Sequence, residues 1–273
     1  MANIKELMRA AREIEISEEK HLLPSKKWLV QLLHPGTSLG GARPKASVID
    51  DDGCLTIAKF PSRKDDYDVA QWEHFCHVMG RKAGINVADT RTIHGENYHI
   101  LLSKRFDRNS DGKRLHFASA LTLLGLTDGD NASTGYGYTD IVDFIIRHGS
   151  NVEQNLEELY RRVAFYIIVG NSDDHFRNHG FLLSRKGWEL SPAYDINPTL
   201  ADGQSLLINR STSDSDLSIL LSSAGEYMLS SQIAEDIVDE VKTAMKTWRT
   251  EARRLGLPQR DIDMFAPRFE KWL

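Results

Sequence analysis

GNSDDHFRNHGFLLSRKGWELSPAYDINP, residues 170–198, decides how this chain is read. It places Asp173, Asn178 and Asp195 in one loop–hairpin–loop unit. Phosphoryl transfer needs a carboxylate that orients an acceptor hydroxyl and takes its proton. It also needs hard oxygen ligands for the metal ions on a triphosphate. Asp-x-x-x-x-Asn supplies the carboxylate and an amide oxygen from one loop, and Asp195 beyond the hairpin supplies a second metal ligand. Taken singly, Asp173, Asp174 and Asn178 are ordinary loop and capping residues. The rigid lead-in Ser191-Pro192-Ala193-Tyr194, and the loop's place directly after an apolar helix, favour the chemical reading.

That helix is LEELYRRVAFYIIVG (156–170). Upstream, TDIVDFIIRHG (139–149) predicts a helix with Thr139 as N-cap and Gly149 beyond its end. SALTLLGL (119–126) predicts another. FLLS and WEL form a hairpin around Arg185-Lys186-Gly187. A last long helix is expected from about Ser231 to Leu255, with Ile233, Ile237, Val241, Ala244, Met245 and Trp248 at helical spacing. Gly256 and Pro258 end it.

The first hundred residues read differently. Ile4, Leu7, Met8, Ala11 and Ile14 mark a short amphipathic helix. HPGTSLGGARPK (34–45) reads as a loop. ASVID and CLTIAKF flank Asp50-Asp51-Asp52-Gly53 as a hairpin. Asp68 to Ala83 is helical, with Trp72, Phe75, Cys76 and Met79 on one face. TRTIHGENYHILLSKRF is a second hairpin, turning at Gly95-Glu96-Asn97. The expected fold is α+β and bilobal: a small β-rich N-lobe over 1–103 and a larger helical C-lobe over 104–273, with LLSKRFDR (101–108) as the hinge.

Composition sets the outer bounds. A chain of 273 residues with 41% hydrophobic and 27% charged content is ordinary for a soluble globular protein. Its net charge of −5 and pI near 6.1 give no basic footprint, so direct nucleic-acid binding is not expected. Cys54 and Cys76 are far apart and form no CxxC, which fits a reducing cytoplasm. No apolar run approaches a membrane span.

Two more features precede the loop. In Gly36-Thr37-Ser38-Leu39-Gly40-Gly41-Ala42-Arg43-Pro44-Lys45, small residues let backbone N–H groups approach phosphate oxygens, and Arg43 or Lys45 adds charge. Lys59 sits in the strand TIAKF, and Glu73 on the following helix is its candidate partner, as in the pair that fixes kinase phosphates. A tight turn and an edge-strand lysine are the plain alternatives. The order Gly-rich loop, strand lysine, helix glutamate, hinge, Asp, Asn, Asp favours the functional reading. His175 and His179 offer a rival, since H-x-x-x-H is a zinc spacing on a helix. Gly180 and the polar run argue for a loop, where His175 orders the chain by hydrogen bonds.

At SLGGARPKASV, IAKFPS, KRFDR, NSDDHFRNHGFLL and LSPAYDINP the chain resembles the HipA family of serine/threonine kinase toxins of bacterial toxin–antitoxin systems. The resemblance implies a kinase-like fold using ATP and Mg²⁺. It makes Asp173 the catalytic base and Asn178 and Asp195 the Mg²⁺ ligands. Gly40, Gly41, Ala42, Arg43, Lys45 and Lys59 face the phosphates, Lys104, Arg105 and Phe106 border the adenine, and His175, Arg177 and Tyr194 complete the nucleotide site. Ser38 matches the autophosphorylation site that opens the loop and inactivates the enzyme. The implied substrate is an aminoacyl-tRNA synthetase, and the implied partners are antitoxins, including a DNA-binding protein.

Three departures matter. The Gly-rich loop begins near residue 36, as in the short HipT-like kinases, where the small N-terminal subdomain is a separate antitoxin protein. Lys104 stands where an acid is common. RLHFASALTLLG (114–125) replaces a more acidic stretch. A nucleotide- or antitoxin-binding module without useful catalysis is the alternative function.

Overall fold

The computed structural model describes residues 4–21, 43–95, 97–109 and 111–273. The chain divides into two compact units, Met1–His74 with Ala88–Lys113, and Phe75–Val87 with Arg114–Leu273. The expected boundary at 103/104 lies inside the first unit, because the strand that reaches it runs on to Lys104.

The first unit is built on a four-stranded antiparallel sheet. Its strands are β1 (Lys45–Ile49), β2 (Leu55–Lys59), β3 (Thr90–His94) and β4 (His99–Lys104), in the order β1-β2-β4-β3. Alternation sorts the residues by face. Ala46, Val48, Ala58, Ile100 and Leu102 pack with Leu7 and Ala11 of helix α1 (Ile4–Glu19), with Ile4, Met8 and Ile93 against them. The Asp-Gly turn is closed as its sequence suggests: Asp50 Oδ1 accepts from Cys54 N at 2.7 Å, and Gly53 takes a φ of +76°. Helix α2 (Val69–Lys82) starts at Asp68, whose Oδ1 accepts from Gln71 N at 3.1 Å. Trp72, Phe75, Cys76 and Met79 on its apolar face are fully buried.

The second unit holds a three-stranded sheet, β5 (Phe117–Ser119), β6 (Gly180–Ser184) and β7 (Gly187–Leu190), antiparallel in that order. SALTLLGL yields only a single turn, α3 (Ala120–Leu123), capped by Ser119. Helix α4 (Tyr138–His148) begins two residues earlier than Thr139 as N-cap requires. Its N-cap is Gly137, because a Cβ there would collide with the main chain of Leu207. Asp140 Oδ2 accepts the Gly137 N–H at 2.8 Å.

Helix α5 (Val152–Val169) is the core, every residue from Arg162 to Val169 being buried. A helix apolar around its whole girth must be enclosed. Short helix α6 (Leu217–Ser222) follows the long loop after the β6–β7 hairpin. The expected final helix is two: α7 (Ser231–Met245) and α8 (Trp248–Arg254), separated at Lys246-Thr247. Beyond Gly256 and Pro258 lies a further helix, α9 (Gln259–Glu270), that the sequence reading lacks. Its Phe269 meets Trp248 edge-on at 4.9 Å and stacks near Phe75 at 6.1 Å. No helix among the described residues is long and apolar enough to cross a membrane.

Candidate active site

The site loop starts where α5 stops. Gly170 ends the helix with φ +71°, its N–H bonded to Tyr166 O. A Cβ at Gly170 would lie 2.5 Å from Thr199 O and 2.6 Å from Arg268 Nε, so no larger residue fits. The chain then turns through Asn171–His179. Asp173 and Asp174, adjacent and indistinguishable by type, have opposite surroundings. Asp173 is exposed. Asp174 is 1% exposed, and its Oδ2 accepts the Tyr138 hydroxyl at 2.7 Å and meets His179 Nε2 at 2.8 Å. Burial and then the Asp174 charge push the Tyr138 phenol well above its usual range, so it stays a donor.

Asn178 is 7% exposed and donates Nδ2 to the Asp173 carbonyl at 3.3 Å. Its N–H bonds His175 O at 2.7 Å. The amide is thereby oriented with its Oδ1 on the opposite edge from Asp173 O. The loop is also tied outward. Ala120 N bonds His179 O at 2.7 Å, and Ser205 Oγ bonds Ser172 O at 2.7 Å.

Asp195 comes from the second loop, which Arg162 holds to α5. Arg162 is 1% exposed in the middle of the apolar helix. Its Nη2 donates to Ser191 O at 2.7 Å, while Glu158 Oε1 takes Nε at 2.8 Å. Ala193 N bonds Asn86 O at 2.7 Å, and Asn197 N bonds Asn171 Oδ1 at 2.9 Å. Between these anchors Asp195 has φ +58°, a left-handed conformation that Asp tolerates better than most residues. Its Oδ1 accepts from Asn197 Nδ2 at 3.1 Å.

Of the nucleotide-side candidates in this unit, Tyr194 donates its hydroxyl to Arg177 O at 2.6 Å, and burial raises its pKa. Arg177 itself is exposed and paired with Asp128. His175 is half-buried, and its Nδ1 has no hydrogen-bond partner among the described residues. The zinc arrangement does not form: His179 Nε2 is taken by Asp174, and no group of three His, Cys, Asp or Glu side chains among the described residues could hold a metal.

In the first unit, Lys59 Nζ and Glu73 Oε1 form an ion pair at 2.6 Å, with the side chains 14% and 4% exposed. Lys45 lies directly opposite Lys59 in the β1–β2 register, on the same face. Like charges placed opposite one another repel. Glu73 offsets the charge of Lys59. Arg43 pairs with Asp65: Nη1 reaches Oδ2 at 2.8 Å and Nη2 the other oxygen. Ser38, Gly40, Gly41 and Ala42 lie outside the described residues. Lys104 is exposed at the end of β4, Phe106 is half-buried, and Arg105 forks onto Asp107 at 2.8 and 2.6 Å.

The donors fit the implied ligands. Mg²⁺ takes one or two carboxylates or amide oxygens and completes its shell from phosphate and water. Asn178, with a fixed amide, and Asp195 are such donors. Tyr138 and Arg162, and the structural roles of Asp174 and His179, were missed by sequence reasoning. Only Arg162 left a signal, a charge inside an apolar helix.

The model of the HipA-like C-terminal domain matches residues 37–248, well over half of the chain. The chain belongs to the HipA-like C-terminal domain family. This HipA-like chain is 22% identical to the serine/threonine-protein kinase toxin HipA of Shewanella oneidensis over 69% of its own length and 48% of the relative's. It spans about half the length of the curated relatives it matches. Its fold matches that of Shewanella oneidensis HipA, solved with HipB and operator DNA, with a TM-score of 0.70 at 16% identity, covering 96% of this chain and 69% of that one. The fold also matches the Helicobacter pylori proinflammatory kinase CtkA, with a TM-score of 0.57 at 14% identity, covering 86% and 92%. The α+β, kinase-like fold class read from the sequence is therefore the one observed.

Proposed function

We propose that this chain is an ATP- and Mg²⁺-dependent serine/threonine protein kinase. The observation that carries the reading is the loop Asn171–His179. There an exposed Asp173 is held beside an amide, Asn178, that is hydrogen-bonded to the Asp173 carbonyl. Asp173 is the base that orients the acceptor hydroxyl and takes its proton. Asn178 and Asp195 would hold Mg²⁺, which when bound neutralises charge on the triphosphate. Lys59, kept in place by Glu73, and Lys45 beside it bind phosphate oxygens. Gly40, Gly41, Ala42 and Arg43 complete the phosphate loop. Lys104, Arg105 and Phe106 line the adenine, and His175, Arg177 and Tyr194 support the nucleotide.

The substrate we infer is a protein, and by family an aminoacyl-tRNA synthetase. The partners are antitoxins, a reading supported by the Shewanella oneidensis HipA–HipB–DNA complex. Ser38 is the proposed autophosphorylation site, where added negative charge repels the triphosphate.

The test is incubation with labelled ATP, Mg²⁺ and cell lysate beside an Asp173→Ala control. Label on a protein band that the variant leaves blank supports the kinase. Equal labelling by the variant overturns it. ATP binding with no transfer identifies the second reading, a nucleotide-binding module.

A further inference from the structure

The three-stranded sheet of the second unit has two unlike faces. Residues directly opposite one another share a face. Ala118, Phe181 and Leu190 are paired across β5, β6 and β7, and Phe181 and Leu190 are buried. Phe144 of α4 covers that face, its ring 4.9 Å from that of Phe181. Phe117 and Leu182 pair on the other face, and there Phe117 is 37% exposed. A single exposed phenylalanine is ordinary on a protein surface. What sets Phe117 apart is what lies beneath its ring and beside it.

Beneath it is Gly180. A Cβ at Gly180 would lie 2.3 Å from Cε2 of Phe117 and 2.9 Å from its Cζ. The missing side chain lets the ring rest directly on the β6 main chain. Beside it is Tyr194, whose ring centroid is 6.3 Å away at 60°. Tyr194 is itself pinned, because its hydroxyl donates to Arg177 O at 2.6 Å. Both neighbours lead straight to the proposed Mg²⁺ ligands. Gly180 follows Asn178 by two residues, about 7 Å of chain at most, and Tyr194 directly precedes Asp195. An exposed aromatic ring is thus held between the roots of the two loops that carry those ligands.

We propose that Phe117 is the platform on which the base of a nucleoside triphosphate stacks while Asn178 and Asp195 hold its metal ion. The inference rests on the kinase reading and adds to its nucleotide site a residue from 114–125, the stretch where the sequence departs from the family it resembles. A nucleobase offers a flat π-face, and an aromatic side chain takes it by stacking whatever the base. The metal ligands on either side call for a phosphate chain, so the ligand that suits this place carries base and phosphates together. Stacking touches the base alone. Losing the ring should therefore spare the grip on the phosphates.

The test titrates the full chain, in Mg²⁺, with ATP and with tripolyphosphate, which has the phosphate chain and no base. Phe117→Ala should weaken ATP by about tenfold or more and leave tripolyphosphate within about twofold of the parent. Phe117→Leu keeps an apolar cover over Gly180 and guards against a folding defect in the Ala variant; it should weaken ATP by about fivefold. Melting curves of both variants are recorded beside the titrations. Phe117→Trp should keep ATP affinity within about threefold, and its added indole emission should be quenched by ATP and not by tripolyphosphate. Unchanged ATP affinity in the folded Ala and Leu variants overturns the platform. Equal loss of both ligands also overturns it, since Phe117 then supports the loops rather than a base. A parent that binds ATP no better than tripolyphosphate overturns the platform and leaves the phosphate site of the kinase reading in place. If ATP binds with the expected pattern but no protein is phosphorylated, the platform stands and the kinase reading falls.

Discussion

The hydroxyl of Tyr138 donates to Oδ2 of Asp174 at 2.7 Å, and the same oxygen meets His179 Nε2 at 2.8 Å. All three residues are fully buried or nearly so. One helix and the end of the loop Asn171–His179 thus converge on a single carboxylate. The neighbouring Asp173 is left facing solvent. The two acids should therefore separate in experiment. Asp174→Ala leaves a phenol and an imidazole buried without their acceptor and should cost about 3 kcal/mol of stability. Asp173→Ala should change stability by no more than about 0.5 kcal/mol while lowering phosphate transfer by about 10²–10⁴-fold. Urea unfolding and phosphate incorporation on both variants check this. A stable Asp174→Ala protein would remove the structural role.

Lys59 and Glu73 form the other decisive pair. With side chains 14% and 4% exposed, neither is well solvated once its partner is gone. Glu73→Gln should release Lys59 from its fixed position against Lys45. We expect kcat/KM for ATP to fall about a hundredfold, roughly 2.7 kcal/mol of transition-state stabilisation. Lys59→Met should fall at least as far, and the double variant no further than Lys59→Met alone. Additive losses in this cycle would mean that the two residues act independently.

Gly137 carries a packing prediction. A Cβ there would meet Leu207 main chain, which leaves that strand-like contact no room to relax. Gly137→Ala should destabilise by about 1–3 kcal/mol through overpacking, in the same direction as the poorer N-capping of Ala. An unchanged urea midpoint would show that the Leu207 segment gives way freely.

Much of this architecture was legible because turns carry strong local chemistry. The Asp-Gly turn at 52–53 and the turn at Arg185-Lys186-Gly187 each sit between β-prone runs, and both hairpins formed there. The apolar run ending at Val169 could only be a buried helix. What escaped the reading depends on contacts far apart in sequence. Thr139 is a good capping residue by type, but Leu207 decides the cap. Helix α9 hid behind a polar sequence with Pro267 inside it, although Ile262, Phe265, Ala266 and Phe269 keep helical spacing and are buried. Spacing singled out Asp173, but the burial of Asp174 was not legible, because it depends on Tyr138 and His179.

The helix that escaped should matter for stability. Phe269 lies within an aromatic group, 4.9 Å from Trp248 and 5.8 Å from Phe265. Phe269→Ala opens a cavity in that group and should cost about 3–5 kcal/mol. Calorimetry should show a correspondingly lower midpoint. A small change would mean that α9 is dispensable to the second unit.

Glu251 links stability to pH. It is 8% exposed, and it takes hydrogen bonds from Lys82 at the end of α2 and from Arg254 Nε at 2.7 Å. Lys82 first, then Arg254, hold its carboxyl below its ordinary 4.5. A carboxyl depressed in the folded state binds its proton more readily when unfolded. Its stabilisation is therefore present above pH 4.5 and is lost as pH falls through the lower folded value. Both cations are largely exposed, 42% for Lys82 and 60% for Arg254, so solvent screens much of the attraction. Glu251→Gln should then cost about 1 kcal/mol or less at neutral pH. The gap between variant and parent should close as pH drops below 4.5. Urea unfolding of both proteins from pH 7 down to the acid limit of folding reads it directly. A gap that stays constant with pH would show that Glu251 contributes packing rather than charge.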